Sequence, residues 1–165
     1  MKKIISIVAI LFCTLTLTNC DGPTHEDPIV KGILTEWHLI ESPLLSKDTD
    51  DVIDVYLEFK SDNTFVLYQR DFSTPIYYNT YTGTYLLTDH LITGKYSDGK
   101  KWGAVNGYNA EYTVVEEKAM LKLTNVDSPD DVSLFEATTI PAEIKGGAIT
   151  MTTRGEEIFD VVRYL

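Results

Sequence analysis

Cysteine is nearly absent from this chain. Its two copies, Cys13 and Cys20, both precede Asp21, so the remainder has no disulfide, no cysteine nucleophile and no thiolate metal ligand. Positive charge is also scarce: 14 Lys and Arg stand against 25 Asp and Glu, for a formal net charge of −11. A surface that acidic repels phosphate backbones and anionic headgroups, which excludes nucleic acid and attachment to a membrane through a basic patch. No apolar run is long enough to span a bilayer core, which takes roughly 20 residues. The motifs of common catalytic machinery are missing as well: there is no G-x-S-x-G, Walker loop, H-E-x-x-H or dinucleotide glycine fingerprint. His25, His38 and His90 are scattered, with no spacing that suggests a metal site.

What is present begins with a targeting signal. Lys2 and Lys3 precede an apolar stretch over residues 4–17, which reads as a signal-peptide h-region. The stretch ends in Leu17-Thr18-Asn19-Cys20, which resembles the lipobox of bacterial lipoproteins, with Asn19 where Gly, Ala or Ser is usual. In that motif the cysteine receives diacylglycerol and the peptide is cut just before it. The resemblance implies a signal peptide over residues 1–19 and lipidation at Cys20. Each buried methylene contributes about 0.8 kcal/mol, so two or more acyl chains hold a protein on a membrane. Residues 20–28, polar and carrying Gly22, Pro23 and Pro28, read as a flexible tether. Residues 29–165 then have the length of one domain with its own core.

From Ile29 onward the pattern is short strands separated by turn signals. Residues 36–41 are the first candidate. Val55, Leu57 and Phe59 alternate on one face, Ser61-Asp62-Asn63 is a turn, and residues 64–70 return as the hairpin partner. Residues 76–87 are rich in Tyr and Thr, with Gly83 marking a bulge or bend. Strands follow over 91–96, 110–115, 119–124 and 132–140, the middle two joined across Glu116, Glu117 and Lys118. Residues 141–147 fit a helical turn or a loop, and residues 158–165 read as a closing strand. Eight or nine strands in meander order predict an all-β fold, an antiparallel up-and-down barrel.

The order of features resembles the lipocalin-like lipoproteins of Gram-negative bacteria. The likeness rests on the lipobox, Trp37, the hairpin Phe59-Lys60-Ser61-Asp62-Asn63-Thr64-Phe65, Gly83-Thr84-Tyr85, and the end Val161-Val162-Arg163-Tyr164-Leu165. Thr35 stands where lipocalins carry the glycine of Gly-x-Trp. The resemblance implies a lipocalin-like barrel, a cell-envelope location on the outer membrane, and a structural pair in which Arg163 stacks on Trp37 as a cation–π contact.

Among residues able to carry chemistry, tyrosine is the informative excess, with ten copies. Its flat apolar body and hydroxyl suit an amphipathic ligand, although tyrosine is also a good strand former that caps barrel ends. Tyr81 and Tyr85 share a strand face, and with Tyr112 they are the candidate ligand-binding wall. The acidic clusters Asp48, Asp50, Asp51, Asp54 and Asp127, Asp130, Asp131 could offer oxygens to calcium. Solvated turns are the default for such runs, and no metal or cofactor is assigned. The expected function is therefore non-enzymatic: binding of a small apolar or amphipathic ligand in the barrel mouth. The alternative is a solid barrel that serves as a protein-interaction subunit of an envelope complex. An eight-stranded barrel is just wide enough for either.

Overall fold

The computed structural model describes residues 32–43, 53–71, 78–147, 149–150 and 163–165. The expected signal peptide over residues 1–19, Cys20, the expected tether with His25, residues 29–31, Asp48, Asp50, Asp51, residues 76–77 and residues 158–162 lie outside the described residues.

Eight antiparallel strands form a closed up-and-down barrel: β1 (Glu36–Glu41), β2 (Ile53–Phe59), β3 (Thr64–Asp71), β4 (Asn79–Thr88), β5 (Leu91–Tyr96), β6 (Tyr108–Val115), β7 (Lys118–Asn125) and β8 (Val132–Thr138). Pairing of β1 with β8 and of β3 with β4 completes the ring. A short β9 (Ile149–Thr150) adds in parallel to the start of β4. A short helix, α1 (Ala142–Gly147), lies where the sequence left helix or loop open. Its Ile144 packs with Ile140 on Tyr68, on the outer side of β3.

Alternation explains the architecture. Val55, Leu57 and Phe59 of β2, Phe65 and Leu67 of β3, and Leu121 and Leu123 of β7 are buried, each two residues from the next, and Ile92 and Tyr96 of β5 are buried four residues apart on one face. Burying one such side chain contributes roughly 1.5–3 kcal/mol, so a single-residue slip in register, which turns every one of them outward, is strongly disfavoured.

The turns follow the sequence closely. Asn63, in the β2–β3 turn, takes a left-handed φ of 62°, and Asp62 accepts hydrogen bonds from the backbone and hydroxyl of Thr64. The β6–β7 turn puts Glu116 and Glu117 at φ 49° and 68°, a two-residue geometry usually given to Asn-Gly.

Two interior glycines serve packing. Gly83 keeps continuous register with Phe65 and Tyr96, so of the bulge or bend expected there the bulge is absent. A Cβ at Gly83 would lie 2.6 Å from the Phe65 ring, so the glycine is a site of close approach. Register instead shifts in β1, between Leu39 and Glu41. Gly94 makes room for the Trp102 ring in the same way, with 1.9 Å to a notional Cβ. Trp102 belongs to the loop between β5 and β6, where ladder pairing is confined to Leu91 with Asn109 and Ile92 with Tyr108. Farther along β5 the loop takes over: Lys101 bridges Lys95, and the Trp102 amide donates to the Gly94 carbonyl at 3.1 Å. The loop thus fills the narrowest seam and delivers an aromatic ring to the core.

The barrel end that carries the β2–β3, β4–β5 and β6–β7 hairpins is covered by residues 32–35. Ile33 is buried and accepts the indole N–H of Trp37 at 3.0 Å, while Gly32 lies against the ring of Tyr112. The opposite end is filled by residues 163–165. These three residues, the described part of the closing strand that the sequence pattern placed over 158–165, lie at the barrel interior without strand structure. Among the described residues the β1–β8 and β3–β4 pairings close the ring.

Candidate functional site

The described interior positions are occupied by packed side chains. Phe59, Phe65, Tyr85, Tyr96, Trp102 and Tyr108 form a chain of edge-on and tilted rings with centroids 4.8 to 6.4 Å apart. Trp37, Phe135 and the aliphatic residues fill the remainder. The Trp102 indole N–H is buried without a hydrogen-bond partner among the described residues.

The expected ligand wall is dispersed. Tyr81 and Tyr85 do share the inner face of β4, as their spacing implies, but they face different ends. Tyr85 donates its hydroxyl to the Lys60 carbonyl at 2.9 Å, near the hairpin end. Tyr81 lies under Arg163 at the other end. Tyr112 is half-buried and meets Trp37 edge-on at 6.4 Å between centroids. Arg163 departs from expectation too. Its guanidinium carbon is 5.0 Å from the Tyr81 ring centroid and 4.6 Å from that of Tyr96, in place of Trp37. Trp37 belongs to the hairpin end, with Ile33 and Tyr112, whereas Arg163 enters at the loop end.

That loop end is the most elaborate polar arrangement in the structure. Arg163 Nη2 donates to Asp98 Oδ2 at 2.6 Å, and both side chains are largely shielded, 19% and 12% exposed. The hydrogen bond from Arg163, with a further one from the Lys100 amide, outweighs burial and holds the Asp98 carboxyl down to about 2. One residue on, the Tyr164 amide donates to Gln69 Oε1 at 2.9 Å, and the Tyr164 and Ser133 hydroxyls share a 2.6 Å hydrogen bond. The Tyr96 hydroxyl donates to the Leu165 carbonyl at 2.6 Å. Gln69, Ser133 and Tyr96 are all buried and inward-facing. Burial pushes the Tyr96 phenol up despite the opposing pull of Arg163, so it remains a protonated donor through neutral pH. Nothing in the sequence linked Gln69, Ser133 and Asp98. Buried polar side chains that face inward on three separate elements are recognised only once the register is known.

On the outer face of β1 and β2, His38 Nε2 lies 2.8 Å from Asp54 Oδ1, and Tyr78 donates to Asp54 Oδ2 at 2.5 Å. The His38 ring stacks on Tyr56 at 4.4 Å. A His–carboxylate pair orients a base, but no serine, threonine or cysteine is bonded to His38 among the described residues, and the pair sits on an open face. The second acidic cluster is taken up in turn structure: Asp127 binds Asn106, and Asp131 binds Asn125. Among the described residues no group of three or more His, Cys, Asp and Glu is placed to hold a metal ion.

No family model, curated protein or solved structure matches the chain. The geometry carries the functional argument alone.

Outside the barrel, an open groove of about 340 Å³ runs along β4 and β5, bordered by Leu86, Thr93, Lys101 and Val105. Leu86 is 63% and Val105 73% exposed. A wider open groove of about 650 Å³ lies at the hairpin end, between Leu34, Glu36, Glu58, Lys60 and Thr138, and its lining is more polar.

Proposed function

We propose that this protein is a non-enzymatic, lipid-anchored interaction module of the Gram-negative cell envelope, held at the outer membrane through Cys20. The carrying observation is the occupied interior: aromatic and aliphatic side chains fill it from the hairpin end, and residues 163–165 fill it from the other. A carrier needs a mouth that a ligand can enter, and here the polar groups of that mouth already bind the chain itself. Apolar side chains are displayed outside instead, with Leu86 and Val105 flanking a groove. A negatively charged surface keeps such a module off the lipid headgroups, so its contacts are with proteins that project from the same membrane.

A photocrosslinking residue at Leu86 or Val105, in the native host, tests this reading. The expected result is one discrete protein adduct at those positions and none from the hairpin tip at Glu117. Adducts of equal intensity at all three positions would mark random encounters and remove the interaction reading. The lipid-anchor reading has its own test: Cys20→Ser is expected to abolish incorporation of radiolabelled palmitate and to release the protein from the membrane fraction.

A further inference from the structure

The loop end of the barrel has the chemistry of a peptide-binding site. Its polar groups address main-chain atoms: Gln69 Oε1 accepts the Tyr164 N–H, and the Tyr96 hydroxyl donates to the Leu165 carbonyl. Its other contacts read three successive side chains. Asp98, Tyr81 and Tyr96 clasp an arginine from below and from the side. Ser133 meets a tyrosine hydroxyl, whose ring stands edge-on to Phe135 at 6.2 Å. The leucine side chain joins the apolar core.

The segment that occupies this site is a guest of the fold. The ring of eight strands closes without it, and residues 163–165 pair with none of the described strands. Among the described residues its polar contacts go to side chains of Ser42, just after β1, and of Gln69, Tyr96, Asp98 and Ser133, on β3, β5, the β5–β6 turn and β8. A ladder strand spends its amides and carbonyls on neighbouring backbone, and such hydrogen bonds exchange only when the sheet opens. A segment held by side chains at a barrel end can leave while the ladder stays intact.

We propose that this end of the barrel is a site for an extended peptide of arginine–aromatic–aliphatic sequence, filled in cis by Arg163-Tyr164-Leu165 and open to the same chemistry from a partner. The inference rests on the interaction reading in so far as it names what a partner presents. Main-chain contacts supply affinity, while the Asp98–Tyr81–Tyr96 clasp selects arginine, whose planar cation stacks on rings and donates to a carboxylate at once. Lysine offers no planar face and binds more weakly.

Hydrogen exchange on the full chain is the first arm of the test. The Tyr164 amide is expected to exchange at least a hundredfold faster than the amides of Leu121 and Phe135. Tyr96→Phe, which removes only the hydroxyl facing Leu165, is expected to speed Tyr164 exchange about tenfold and to leave the strand amides unchanged. Equal protection at Tyr164 and in the strands would make the segment part of the cooperative core and overturn the proposal.

The second arm uses a fluorescent peptide of the sequence Asp160-Val161-Val162-Arg163-Tyr164-Leu165 and the full-length R163A/Y164A double variant. The variant is expected to bind the peptide at least tenfold more tightly than the unmodified protein, whose own segment competes. Replacing the peptide arginine by lysine is expected to weaken binding several-fold. No binding to the folded variant, or equal binding of a scrambled peptide, would overturn the proposal; if the variant does not fold, the exchange result decides. A crosslinked partner at Leu86 or Val105 together with failed peptide binding removes this site and leaves the interaction reading. Peptide binding with no crosslinked partner does the reverse.

Discussion

Tyr96 donates its hydroxyl to the carbonyl oxygen of Leu165 at 2.6 Å, across 69 positions of sequence. That bond joins the end of β5 to residues 163–165, and the guanidinium of Arg163 lies over the same ring. The loop end of the barrel is built around this relationship, and the properties of the Arg163–Asp98 pair follow from it.

Acid should weaken the loop end before the rest of the barrel. The Asp98 carboxyl is held down to about 2 by Arg163 and the Lys100 amide, while in an unfolded chain it titrates near the usual value of about 3.9. The unfolded chain therefore binds more protons between those values, and stability rises with pH there. The contribution of Asp98 is fully present above about pH 4 and is lost as pH falls toward 2. Urea midpoints measured from pH 2 to 6 are expected to show this slope and to show a shallower one for Asp98→Asn. Equal slopes would mean that the pair adds nothing to folding.

Arg163→Ala is expected to destabilise the protein by about 1–3 kcal/mol, since it removes a charged hydrogen bond and two ring contacts and leaves Asp98 shielded without its partner. Arg163→Lys restores only part of this, because the ammonium keeps the charge and loses the planar stack. Denaturant titration of both variants checks the order.

The β6–β7 turn can be improved. Glu116 and Glu117 both hold left-handed backbone, which costs a non-glycine residue roughly 1–2 kcal/mol, and both side chains are exposed. The double variant E116N/E117G is expected to raise stability by about 1–2 kcal/mol in chemical denaturation, with no change in the near-ultraviolet circular dichroism of the aromatic core. A loss of stability would mean that the turn adopts another geometry.

Gly94→Ala tests the packing of Trp102. The added methyl carbon would fall 1.9 Å from the indole, so the ring must leave its position among Phe59, Phe65 and Tyr108. The expected cost is about 3 kcal/mol or more, with a red shift in tryptophan emission as the ring meets water. Unchanged emission would place Trp102 outside the core.

Much of the barrel was legible in the sequence because period-two alternation survives in it. Val55, Leu57 and Phe59 announce β2, and Ser61, Asp62 and Asn63 announce the turn that follows. The seam between β5 and β6 was not legible. Trp102 sits in a stretch of Lys, Gly and Asn that reads as a surface loop, and its burial depends on the space Gly94 leaves on another strand. The end of the chain misled for a related reason. Tyr164 and Leu165 have strand composition, and composition does not distinguish a ladder strand from residues received by side chains at a barrel end. Pairing Arg163 with Trp37 required both at one end of the barrel, whereas the connectivity puts them at opposite ends.

The central claim is that the interior of this barrel is occupied by the protein itself. Native mass spectrometry of the protein purified from its own host tests it most directly. The account predicts the mass of the covalent protein and nothing more, unchanged when the sample is denatured. A discrete additional mass, bound in one-to-one ratio and lost on denaturation, would contradict it and make the protein a carrier.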